Sequence, residues 1–268
     1  MRYTVEDIAK KAKAWTAGLA VAAAASGLGM ASAGADEVTA QHLLKAMSDY
    51  LAAQKTISLD YDSNLEIVTT EKQKIGLASS GSLTLKRPDQ VRATRRGGFA
   101  DVELVFDGKL LTLIGKNANV YAQLEVPGSI DHLVDELREK YHRPMPAADL
   151  IMADPYGELM PLAIESKDLG SGVIRGVECD HLAFRTKEVD WQIWIAQGDR
   201  PYPCRYVVTS TAVAGDPQYT IDVRTWKTGA EVASASFSAD IPAGAKKLNP
   251  GDLDFDDVPA IFTRKGGQ

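Results

Sequence analysis

The chain has 268 residues, 45% of them hydrophobic and 25% charged, with a formal net charge of −6. An acidic chain lacks the phosphate-neutralising excess that sequence-independent nucleic-acid binding rests on, so that class of partner is excluded. Two cysteines and four histidines leave little material for a disulfide framework or a multi-ligand metal site.

The N-terminus carries Arg2, Lys10, Lys11 and Lys13 ahead of an apolar, alanine-rich run from Ala14 to about Met30. Small residues follow, which completes the pattern of a secretory signal peptide. Ala31-Ser32-Ala33 and Ala33-Gly34-Ala35 both suit a signal peptidase, and cleavage is expected after Ala33 or Ala35. Retention as a membrane anchor is the alternative, because the run approaches the roughly 17 residues of a minimal spanning helix. No cysteine lies near the cleavage region, so a lipid-modified N-terminus has no acceptor thiol. Residues 1–35 are thus read as leader, and 36–268 as a single periplasmic domain. Cleavage after Ala35 leaves 268 minus 35, or 233, residues. That suffices for one large core. Losing four basic and two acidic leader residues takes the net charge from −6 to about −8.

Along the mature chain, Leu44, Met47 and Leu51 share one face of a helix expected over 37–54. Ile57, Leu59, Tyr61, Leu65 and Ile67 then alternate with polar residues as a half-buried strand does. Further strands are expected over 76–86, 90–96, 102–106, 110–114 and 120–126, punctuated by Arg87-Pro88-Asp89 and Asp107-Gly108. Ser129 caps a helical pattern of Ile130, Leu133, Leu137 and Tyr141. A second helical region, 147–161, is interrupted at Asp154-Pro155 and carries Met152, Leu159 and Met160. Strands return over 164–169, 173–185, 191–196, 205–211, 218–226 and 233–237. Some ten or eleven strands are too many for a flat open sheet, which predicts strong curling. The fold class is α+β: a strongly curled antiparallel sheet forming an unclosed half-barrel with lid helices over its mouth.

Such a sheet encloses more volume than its inward side chains fill, which argues for a binding cavity. Leu133, Leu137, Met152, Leu159 and Met160 are the candidate lining from the lid, methionine adapting to ligands of varied shape. Ordinary core is the other reading of the same stripe.

Chemistry is sparse. His42, His132, His142 and His181 show no metal-ligand spacing, so neither a metal nor a cofactor is expected. His181 beside Cys179 reads as two residues sharing one strand face rather than as a thiol and its base. Ala78-Ser79-Ser80-Gly81 is no nucleophile elbow, and Gly170, Gly172 and Gly176 read as turn residues between strands. No catalytic residue is assigned. An oxidising compartment permits Cys179 and Cys204 to pair. In a meander, however, they sit two strands apart, roughly 9 to 10 Å, beyond disulfide reach unless the strand ends bend together. Arg92, Arg95 and Arg96 form a small basic cluster, either steering an anionic headgroup or partner or simply ending a strand in solvent. Trp191 and Trp194 fall on opposite faces of one strand.

Several stretches resemble a known superfamily. Gly81-Ser82-Leu83-Thr84-Leu85-Lys86-Arg87-Pro88, Phe106-Asp107-Gly108-Lys109, Tyr121 and the terminal Phe237 to Ala245 are similar to the periplasmic lipoprotein carriers, the LolA-like superfamily. More closely, Cys179-Asp180-His181-Leu182-Ala183-Phe184 with Asp190-Trp191-Gln192-Ile193-Trp194-Ile195 resembles the periplasmic family called domain of unknown function 2092. The resemblance implies an unclosed barrel under a helical lid, with a cavity for acyl chains. It places on Arg87 the arginine that holds the lid by hydrogen bonds; an exposed turn arginine before proline is the plainer reading. The chain departs from the carriers at Val91-Arg92-Ala93, where they have an aromatic residue. Expected partners are a lipid or an acylated protein, with transient contact to the inner or outer membrane. A protein-interaction or envelope-sensing module and an unrecognised enzyme are the competing functions.

Overall fold

The computed structural model describes residues 33–98, 100–141, 145, 147–232 and 236–250, so the expected leader lies outside the described residues except for its last three positions. The first helix, α1 (Ala33–Ala53), buries Ala40, Leu44, Met47 and Leu51. That spacing of four, three and four is one helical stripe, and it caps the main core.

Six strands follow as a meander: β1 (Thr56–Val68), β2 (Lys74–Lys86), β3 (Gln90–Gly97), β4 (Asp101–Phe106), β5 (Leu110–Gly115) and β6 (Val120–Glu125). A helical segment interrupts the sheet with α2 (Ile130–Asp135), a π turn over Glu136–Lys140, a 3-10 turn over Ala148–Leu150, α3 (Pro155–Leu159) and a 3-10 turn over Met160–Leu162. A second meander of β7 (Glu165–Ile174), β8 (Val177–Arg185), β9 (Val189–Ala196), β10 (Pro203–Ser210) and β11 (Gln218–Thr228) completes it, before the short β12 (Lys246–Lys247). All lie in one 12-stranded sheet of order β12-β6-β5-β4-β3-β2-β1-β11-β10-β9-β8-β7. The meanders join where β1 and β11 pair antiparallel, and among the described residues only β12 against β6 runs parallel. Among the described residues β7 and β12 are the two ends of the order, so the sheet is open.

Local chemistry sets several boundaries. Ser129 caps α2 as expected, its Oγ accepting from the His132 N–H at 3.2 Å. Asp154-Pro155 starts a helix rather than merely breaking one: the Asp154 carboxylate accepts from the Gly157 N–H at 3.1 Å, and proline sits where no N–H is needed.

Three expectations are corrected. The strand expected over 173–185 is a hairpin whose turn is Arg175-Gly176, with φ of 53° and 83°. An arginine in the left-handed region carries no turn signal, so the break was hidden. Of the supposed turn glycines, Gly170 instead marks the register shift between Asp168 and Ser171, and Gly172 lies within β7 beside Trp194. The strand expected over 233–237 is absent at Ser236 and Phe237, and 233–235 lie outside the described residues.

Candidate functional site

Cross-strand register sorts the inner face of β1–β6 into three rows. Ile57, Leu85, Val91, Phe106, Leu111 and Leu124 form the first, and nearly all of it is fully buried. Leu59, Leu83, Ala93, Leu104, Leu113 and Ala122 form the second, with most members half-buried. The third reads Tyr61, Gly81, Arg95, Val102, Gly115 and Val120. Polarity therefore rises along the strands, from packed aliphatic core to a row holding a phenol and a guanidinium.

A cavity of about 510 Å³ opens over all three rows, touching Ile57, Leu111 and Leu124 of the first, the whole of the second, and Tyr61, Arg95 and Val102 of the third. Tyr219, Ile221, Val223 and Trp226 of β11 extend its wall, a bulge at Arg224 letting both Val223 and Trp226 face inward. Leu137, Tyr141, Met145, Leu150 and Ile151 roof it. Gly81 shapes the polar end: a Cβ there would sit 2.1 Å from the Thr94 carbonyl oxygen and 2.6 Å from the Tyr61 hydroxyl. Its absence lets the Tyr61 ring lie across β2 and donate to Thr94 C=O at 3.1 Å. On the opposite face a groove of about 820 Å³ runs beneath residues 236–241, lined by polar Thr84, Lys86, Gln90, Thr112 and Gln123 as well as by Val105 and Phe237.

The roof is tied down at several points. Asp131 accepts from the Ala153 N–H at 3.0 Å, and Arg138 donates to Asp149 at 2.8 Å. The buried Ser48 hydroxyl of α1 accepts from the Tyr156 N–H at 3.0 Å. Arg87, just past β2, is held by its own N–H to Lys55 C=O at 2.8 Å, and its Nη1 donates to Ile151 C=O at 2.9 Å. Its Nε and Nη2 have no hydrogen-bond partner among the described residues. Burial pushes the Arg87 pKa down, and nearby Asp131 opposes the shift.

Of the five apolar residues picked from the lid sequence, Leu137 lines the cavity. Leu133, Met152 and Leu159 are buried in the main core, and Met160 packs against that core. Sequence reasoning missed the sheet half of the wall, although the alternation that identified the strands already names Leu59, Leu83, Ala93, Leu104 and Leu113 as one face.

The remaining candidates separate. Arg92 and Lys116 pair with the buried Glu103 on the outer face, exposed Arg96 lies toward Asp101, and Arg95 alone joins the cavity wall. Trp191 stacks on Phe184 in the core, while Trp194 stacks on His181 across the sheet at 4.0 Å. His181 bonds to Gln192 at 2.9 Å, so it is no base for Cys179. Cys179 and Cys204 are free, buried thiols of a second small core with Ile174 and Ala196. The register shift between Pro203 and Arg205 brings Cys204 into contact with Cys179 across Ala196, and burial raises both thiol pKa values. Among the described residues no cluster of three or more His, Cys, Asp or Glu suits a metal, and no helix is long and apolar enough to cross a membrane.

The chain belongs to the family described as predicted periplasmic protein (DUF2092), whose sequence model matches residues 40–249. No curated protein matches it in sequence. Among solved structures it is similar to an uncharacterized conserved protein from Thermus thermophilus, at 11% identity and a TM-score of 0.47 over 79% of this chain and 99% of that one. LprF from Mycobacterium bovis is similar at 12% identity and a TM-score of 0.45, over 75% of this chain and 98% of that one. A LolA superfamily protein, NE2245 from Nitrosomonas europaea, is similar at 10% identity and a TM-score of 0.33, over 71% and 93%.

Proposed function

We propose that the protein is a periplasmic binding or carrier protein that holds a hydrophobic ligand, a lipid or the acyl chain of a lipoprotein, in a half-barrel under its lid, without a catalytic step. The observation that supports this reading is the apolar cavity of about 510 Å³ between the inner sheet face and the roof formed by Leu137, Tyr141, Met145, Leu150 and Ile151. That volume lies within the range of small-molecule sites, and an aliphatic wall with few polar groups suits an acyl chain. Curling of the sheet is the geometry this reading requires, and wall residues drawn from β1 to β6, β10 and β11 support it. Arg87 is the latch: one charge-assisted bond to the roof carbonyl of Ile151 holds the lid near the end of β2.

The test is mass spectrometry of organic extracts from mature protein purified from the periplasm without detergent, beside Arg87→Ala. A stoichiometric lipid in the wild type, depleted in the variant together with faster amide exchange over 147–153, supports carrier and latch. No lipid in either protein, with no uptake of a fluorescent fatty acid, sinks the cavity reading. A second reading, a protein-interaction module, has one observation in its favour. Leu162, Ile164, Leu169 and Val173 stand exposed at the edge strand β7 and the turn leading into it.

A further inference from the structure

We infer that Tyr206 offers its hydroxyl to the ligand as a hydrogen-bond donor, and that the ligand carries an uncharged acyl oxygen, the carbonyl of an ester or amide, to accept it. The inference rests on the cavity reading above and adds the polar group by which the cavity orients what it holds. Three observations carry it. First, Tyr206 of β10 lines the cavity and is only 5% exposed, its ring tilted on Trp191 at a centroid distance of 5.9 Å. Packing thus fixes the side chain in the inner face, between Ile193 and Ile221 on the flanking strands. Second, its hydroxyl makes no hydrogen bond among the described residues. Other polar groups of the wall are engaged. Tyr61 donates to Thr94 C=O, the Thr94 hydroxyl bonds to that of Ser82, Trp226 Nε1 donates to the Tyr50 hydroxyl at 3.2 Å, and Gln123 bonds to Thr112 and Lys247 on the outer face. Third, the surroundings set the charge of the acceptor. Burial, and then the nearby Asp149 carboxylate, push the Tyr206 pKa up, so the phenol stays a neutral donor. Asp149 pairs with Arg138 at 2.8 Å, but Arg138 also lies 3.8 Å from Glu158, so the roof is net acidic at this end. An anionic head beside Tyr206 would meet that charge, whereas a carbonyl oxygen would not.

A buried tyrosine hydroxyl ordinarily finds a partner, and one without keeps the full cost of having left water. A plain hydrocarbon chain in the cavity leaves that cost in place; an acyl carbonyl removes it. A site with a hydrogen-bonding group in its wall discriminates against the analogue that cannot bond to it, because the wall group is then stranded. For one neutral hydrogen bond in an apolar wall the expected margin is about tenfold in affinity.

The experiment is displacement of the neutral dye N-phenyl-1-naphthylamine from delipidated full-length mature protein by methyl laurate, dodecyl methyl ether and laurate. The ester and the ether differ by the carbonyl alone, and laurate supplies an anionic head. The ester should displace the dye at about tenfold lower concentration than the ether, and Tyr206→Phe should narrow that ratio to about twofold. With the ester carbonyl labelled by carbon-13, its infrared stretch should move to lower wavenumber on binding the wild type and not on binding Tyr206→Phe. Ligand-free Tyr206→Phe should melt at or above the wild type, because it gives up no hydrogen bond. A fall of about 2–4 °C, the equivalent of one lost hydrogen bond, would show that the hydroxyl has a partner in the protein and overturn the inference. Equal displacement by ester and ether in the wild type would also overturn it while leaving the cavity reading intact, and it needs no variant to fold. A preference undiminished in Tyr206→Phe would overturn the role of Tyr206, and laurate tighter than the ester would overturn the uncharged acceptor. Failure of every competitor and of the dye itself would remove the cavity reading and this inference together.

Discussion

Filling the cavity from the sheet side should strengthen the protein and disable binding at once, and Ala93→Phe is the substitution that separates a cavity from a packed core. Ala93 is the small member of a row whose neighbours on both sides are leucines, Leu83 and Leu104, and it lines the cavity directly. Complete burial of a phenylalanine side chain is worth about 1.5–3 kcal/mol. The ring would enter space that is partly open, so roughly half of that, about 0.8–1.5 kcal/mol, is expected as added stability. For a domain of this size the gain raises the melting temperature by about 2–6 °C. The assay is urea and thermal unfolding followed by circular dichroism, beside titration with N-phenyl-1-naphthylamine. Wild type should bind the dye, and Ala93→Phe should bind it at least about tenfold more weakly, because the ring occupies the volume the dye needs. In a filled core the same change would overpack and cost about 1–3 kcal/mol. A destabilised variant that still binds dye like the wild type refutes the geometry on which the functional proposal stands.

Two further outcomes check the wall and the second core. Gly81→Ala puts a Cβ 2.1 Å from the Thr94 carbonyl oxygen, which the β2–β3 ladder holds in place, so a loss of about 2–4 kcal/mol in urea unfolding is expected. A loss within error of zero would show that the Thr94 carbonyl does not approach Gly81 as described. Cys179 and Cys204 should resist a thiol reagent in the folded protein and react on unfolding. Their folded pKa values lie above the unfolded thiol value of about 8.5, so the native state keeps protons that the unfolded state releases. The corresponding stability is whole below about pH 8.5 and declines as pH rises beyond it. The decline, read as the urea midpoint between pH 7 and 10, should be smaller in a Cys179→Ala, Cys204→Ala double variant.

The elements of the first meander were legible because each strand carries its own alternation and ends on a turn signal. Ile57, Leu59 and Tyr61 name a face of β1 without reference to any partner, and Asp107-Gly108 closes β4 onto β5. Where the sheet breaks parity, local signals fail. The bulge at Arg224, the register shift across Gly170 and the one at Cys204 each reset which residues face inward. Nothing in the neighbouring sequence announces them. The pairing of β1 with β11, which unites the two meanders, joins residues more than a hundred positions apart, beyond any periodicity argument.

The lid shows the deeper limit. Leu133, Leu137, Met152 and Leu159 are equally apolar in sequence and all belong to the main core, yet of the four only Leu137 also lines the cavity. The helical pitch changes along the segment: α2 gives way to a π turn at Glu136, and a 3-10 turn begins at Ala148. Each change of pitch rotates the stripe. Arg95 was hidden for the opposite reason. Its alternation with Val91 and Ala93 placed it inside, but its sequence neighbours Arg92 and Arg96 made the three look like one exposed cluster, and pairing to Glu103 and Asp101 keeps those two outside. A pattern of apolar residues says what a segment can bury. A cavity is the volume that those residues, from strands and helices far apart in sequence, together fail to fill, so it becomes visible only when every register is fixed.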